Sequence, residues 1–143
     1  MSTAMKTDTC KGRWREHKDS RFSDLRKLWK AEMAGDDKEV PNLGRLNEYG
    51  LSFDYVEPET FPDQPRGYWR YQLSWGGPSD EIRFYAESSD AARPDRIEYR
   101  FMDWFDGHGR SLMGRDLALA VDLWQWFQEC GSTEAAYREA HTP

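Results

Sequence analysis

The stretch "YWRYQLSWGGPSDEIRFYAE", residues 68–87, decides the fold. Trp69, Tyr71, Leu73 and Trp75 alternate with Tyr68, Arg70, Gln72 and Ser74, the period of two that marks a strand with unlike faces. Gly76-Gly77-Pro78-Ser79 is turn chemistry. Beyond it Ile82, Phe84 and Ala86 alternate with Arg83, Tyr85 and Glu87. Two strands joined by so short a connection must be antiparallel, because a parallel crossover needs a dozen residues or more. Asp80 and Glu81 directly follow the turn, so the pattern predicts an acidic hairpin tip.

The alternation extends both ways. Leu51, Phe53 and Tyr55 alternate with Ser52 and Asp54 as a short strand. Three prolines and three acids follow in 57–65, a stiff loop carrying Glu57, Glu59 and Asp63. Ile97, Tyr99 and Phe101 alternate with Glu98, Arg100 and Met102, and Asp106-Gly107-His108-Gly109-Arg110 reads as the closing turn. Residues 116–129 carry Leu117, Ala120, Val121, Trp124 and Phe127 on one helical stripe. Upstream, Phe22, Leu25, Leu28 and Trp29 predict a helix from Ser20, while residues 1–19 read as a charged tail. Pro41-Asn42 reads as the start of a further helix, with Leu43, Leu46 and Tyr49 on one face and Gly50 as its stop. The expectation is an α+β fold: N-terminal helices, a four-stranded antiparallel β-meander, and C-terminal helices of which the first covers the sheet.

The chain has 143 residues, 38% hydrophobic, 32% charged and 15% aromatic. That aromatic content separates it from disordered chains of similar polarity. No apolar run is long enough for a membrane span, and the first residues have no apolar signal core, so the expected setting is the cytosol. Cys10 and Cys130 match no zinc or redox spacing and read as reduced thiols. Charge is uneven: residues 1–45 hold 11 Lys+Arg against 8 Asp+Glu, residues 46–143 hold 9 against 18, and all six lysines lie in the first part. This break divides the chain into a basic helical extension, 1–45, and an acidic α+β domain, 46–143. An acidic domain repels polyanions and suits a basic partner.

Motifs for chemistry are sparse. There is no Gly-x-Ser-x-Gly elbow and no phosphate-binding glycine loop. In "FMDWFDGHGR", 101–110, Asp103, Asp106 and His108 lie close enough to hold a divalent metal, with Asp116 beyond. Asp-Gly is equally a common turn pair. "KGRWREHK" (11–18) and "RKLWK" (26–30) interleave basic and aromatic residues, a pattern for nucleic-acid contact or for the wet face of a helix. The acids Asp80, Glu81, Asp103, Asp106, Glu57, Glu59 and Asp63 are either a solvated surface or a local imitation of DNA phosphates for a basic groove.

The phrases "NEYGLSFDYVEPETFPDQPRGYWRYQLSWGGPSDEIRFY" (47–85), "IEYRFMDWFDG" (97–107) and "LWQWFQECGS" (123–132) resemble a family of small acidic accessory proteins of bacterial plasmids and phages. The resemblance spans about residues 46–135. Members often sit among genes that counter host defence. It implies a mobile-element protein in the host cytosol and adds no cofactor and no catalytic residue. The expected function is non-enzymatic: an anti-CRISPR or anti-restriction inhibitor that binds a host defence complex through those seven acids, with exposed Trp or Tyr as anchors. Two alternatives remain. One is a metal-dependent hydrolase or nuclease using Asp103, Asp106, His108 and Asp116. The other is a nucleic-acid-binding regulator working through the basic N-terminal segment.

Overall fold

The structure, a computed structural model, describes residues 10–35, 39–103 and 106–142. Helix α1 spans Cys10–Met33 and the one-turn α2 spans Leu46–Tyr49. Strands β1 (Ser52–Val56), β2 (Tyr68–Ser74), β3 (Ser79–Tyr85), β4 (Arg96–Asp103) and β5 (Asp106–Ser111) follow. Helices α3 (Gly114–Glu129) and α4 (Ser132–Ala140) close the chain. The strands form one antiparallel meander in the order β1-β2-β3-β4-β5. The α+β class and the meander are as the alternation predicts.

Two details differ. The sheet has five strands, not four: 106–111, read as a closing turn, pairs along β4 from Asp103↔Asp106 to Glu98↔Ser111. Two glycines in six residues hide this strand from any propensity reading. The second correction concerns the N-terminus. The helix does not begin at Ser20; residues 10–19 are already helical, and Trp14, only 6% exposed, belongs to the core with Phe22, Leu25 and Leu28. The rest of the expected tail, 1–9, lies outside the described residues.

One face of the sheet is covered by helices from both ends of the chain. Helix α1 lies over β4 and β5, and α4 lies over β1 and β2. Helix α3 reaches the same face through Trp124, beside Trp69 and Phe84, and Phe127, stacked on Phe53 at 4.0 Å. Three indoles lock these layers by donating to backbone carbonyls: Trp14 to Tyr99 at 2.7 Å, Trp69 to Thr133 at 2.9 Å and Trp124 to Ala91 at 2.8 Å. A buried indole N–H needs such a partner, so each bond fixes the ring as well as its burial. Among the described residues no helix packs on the opposite face; the loop 57–66 leans over part of it.

Candidate functional site

Strand parity sorts the predicted acids. Asp80 lies two residues before Ile82 and shares its core-facing side. It is 2% exposed and sits in β3, opposite Phe101 of β4, rather than at a tip. Arg21 of α1 donates to both its oxygens, at 2.7 and 3.0 Å, and the Tyr99 hydroxyl donates at 2.5 Å. Ser74 Oγ donates as well. Arg21 continues to the Tyr49 hydroxyl at 3.1 Å, which donates to Asp24. Burial, with the Asp80 carboxylate beside it, raises the Tyr99 phenol above its ordinary value. Asp80 is therefore the centre of a buried polar network joining α1, α2, β3 and β4.

The other acids lie on several elements, with Asp103 and Asp106 as register partners. Glu81 is 1% exposed on the opposite face and pairs with Arg83 at 2.7 Å. Asp103 pairs with Arg13 of α1. Asp106 opens β5 opposite Asp103 in register. Glu57 is half-buried, with its Oε1 2.7 Å from His141 Nε2. Glu59 and Asp63 are exposed, with left-handed backbone at φ 64° and 57°. Of the residues of the metal alternative, Asp103, Asp106 and His108 lie at one end of the β4–β5 pair, while Asp116 lies on α3. His108 packs edge-on to Trp14 with ring centroids 5.8 Å apart. Asp116 accepts from Lys18 at 2.7 Å and from Arg26. Burial would raise the Asp116 carboxyl, but these two hydrogen bonds and charges outweigh it and hold it low. Among the described residues no group of three His, Cys, Asp or Glu side chains could hold a metal.

What the structure does bring together is the open face. In β2 to β4 it carries Tyr68, Arg70 and Gln72, then Glu81, Arg83 and Tyr85, then Arg96, Glu98 and Arg100, with Met102 last. Register alternates the charges: Glu81 lies opposite Arg100, and Arg83 opposite Glu98. Glu98, 3% exposed, holds both Arg96 and Arg100, the latter at 2.9 Å. Arg70 is held bidentately by Asp54 of β1 at 2.7 and 3.0 Å. Arg83 lies 4.4 Å over the ring of Tyr68, whose phenol burial pushes up to about 12. A Cβ on Gly109 of β5 would stand 2.5 Å from Glu98 Oε1 and 2.6 Å from Arg100 Nη1. That glycine is what lets the pair lie flat against the last strand.

The consequence is an arrangement of charge in depth. The carboxylates of Glu81 and Glu98 form the floor, while the guanidinium groups of Arg96 and Arg100 lie above them and reach solvent. On these three strands four arginines stand against two glutamates, and the buried carboxylates leave the cations outermost. A cavity of about 530 Å³ opens over it, lined by Phe61 of the proline loop and Trp75 of the β2–β3 turn, with Arg70, Arg83 and Arg100 among its lining. A second cavity of about 400 Å³ adjoins it under 61–66. Trp75 is 75% exposed, although simple alternation assigns it to the core stripe with Trp69. The register shifts between Gln72 and Ser74, and the strand ends before Trp75.

Arg70, Arg83, Arg96, Arg100, Phe61 and Trp75 were not among the residues singled out from the sequence. The usable signal was the alternation itself, which gives Arg83 and Arg100 the face opposite the apolar stripe. Neither cavity is lined by histidine or cysteine. A scan against protein-family models finds none that matches the chain, and no curated protein or solved structure matches it.

Proposed function

We propose that this chain is a non-catalytic binding protein that docks a macromolecular partner on its open sheet face. The observation that carries the reading is the pair of exposed rings, Phe61 and Trp75, lining one cavity of about 530 Å³ together with Arg70, Arg83 and Arg100. Arg and Trp are the residues that most often dominate binding energy at interfaces, whereas Lys is depleted there. This face has five arginines, 66, 70, 83, 96 and 100, and no lysine. Docking by the acidic turns is less well supported, because Asp80 and Glu81 are buried and ion-paired.

The resemblance to plasmid and phage accessory proteins supplies the expected partner, a bacterial nucleic-acid-targeting defence complex, inhibited by occupation of its surface. The test is a pulldown with the tagged chain from cells expressing CRISPR effector complexes and restriction enzymes. The expected result is retention of one such complex by the wild type and by Glu59→Lys/Asp63→Lys, and its loss with Phe61→Ala/Trp75→Ala. Retention by the ring variant together with loss on charge reversal would move the docking site to the acidic loop and overturn this reading.

A further inference from the structure

We infer that the open face binds single-stranded nucleic acid, its bases on Trp75 and Phe61 and its phosphates on Arg70, Arg83 and Arg100. The inference rests on the open face being the docking surface and names what it holds: the strand that a nucleic-acid-targeting complex exposes. Three observations carry it. The two rings line one cavity and are both exposed, so each offers ring surface for stacking. Three guanidinium groups line the same cavity with Glu81 as the carboxylate in that lining, Arg83 being paired with Glu81, Arg70 with Asp54 and Arg100 with Glu98. Each guanidinium has five donors, and a carboxylate in the sheet uses only part of that fork, so phosphate oxygens can be bound without breaking the ion pairs.

Single strands fit this geometry better than duplex. Base–aromatic stacking needs an unstacked base, and a paired base offers its π-face to its neighbours instead. The adjoining cavity under 61–66 is lined by Arg66, Arg83, Arg96 and Arg100 with Asp63 and Glu98, so phosphates can continue into it. The negative charge of the rest of the chain limits long-range attraction, which makes the ring contacts decisive.

The experiment is fluorescence anisotropy with the full chain and labelled 12-mers of mixed-sequence single-stranded DNA, the same RNA, and the matching duplex, at 50 and 200 mM salt. The expected result is binding of the single strands in preference to duplex. The salt slope should correspond to two or three phosphate contacts, about −1.4 to −2 in log–log form. Trp75→Ala should weaken binding roughly tenfold. Arg100→Ala should weaken it and flatten the salt slope. Arg100 is the arginine to remove because Glu98 keeps Arg96, so the fold is not left with an unpaired buried acid. No single-strand binding by the folded protein, binding insensitive to both substitutions, or equally tight binding of a poly-glutamate of the same length would each overturn the inference. If oligonucleotide binding fails while Trp75-dependent capture of a protein complex persists, the ligand is wrong and the docking face stands. If neither depends on Trp75, the face itself is wrong.

Discussion

At the scale of single residues, the two neighbouring acids Asp80 and Glu81 have different fates because a strand sends successive side chains to opposite faces. Asp80 is surrounded by donors from Arg21, Tyr99 and Ser74. Replacing it with alanine leaves the part-buried Arg21 guanidinium and the buried Tyr99 hydroxyl without their shared acceptor. Removing one partner of a buried ion pair costs about 3–5 kcal/mol, much of the margin of a domain this size. Asp80→Ala should therefore lower the urea midpoint sharply, whereas Glu59→Ala, on the exposed loop, should leave it almost unmoved. Equal midpoints for the two variants would mean that Asp80 is a surface turn residue after all.

At the scale of elements, α1 and β5 are where structure departs most from sequence pattern, and they depart together, since α1 covers β4 and β5. Trp14→Ala removes a buried ring and its bond to the Tyr99 carbonyl. The expected cost is about 3 kcal/mol, read by urea denaturation; an unchanged midpoint would return residues 10–19 to the status of a tail. The central strands were legible because large apolar and polar residues alternate in them without interruption. The start of α1 was not, because its first turns carry one large apolar residue among charges, although Trp14 falls eight positions before Phe22 on the same stripe. Strand β5 was illegible for a different reason: Gly107 and Gly109 face the open side, and Gly109 is glycine because Glu98 and Arg100 crowd it. The candidate site was the least legible part. It depends on the cross-strand register that puts Arg100 beside Glu81 and on the loop that brings Phe61 to the cavity, neither of which one strand's pattern contains.

At the scale of the whole molecule, one apolar cluster runs from Trp14 through the sheet to Ala136, so the basic N-terminal helix and the acidic remainder share a core. An ion-pair group clamps the two: Asp116 of α3 accepts from Lys18 and Arg26 of α1. Its pH dependence has a definite sign. The Asp116 carboxyl is held below its ordinary 3.8 in the folded chain, so its contribution is present above that value and is lost as pH falls through the lower folded value. Burial would lower the Lys18 ammonium, but Asp116 and Asp19 outweigh burial and raise it above 10.5. Its contribution is thus complete below 10.5 and disappears as pH rises through the folded value. Both are present across the neutral range. Asp116→Asn should destabilise the chain at pH 7 by about 1–2 kcal/mol, between the values of exposed and buried pairs, and the gap from wild type should close toward pH 2. Because the clamp joins α1 to α3 over a shared core, that loss should shift a single unfolding transition, seen alike by far-ultraviolet circular dichroism and by tryptophan fluorescence. Two separated transitions, with helix lost before the aromatic core, would instead make α1 an independently melting extension.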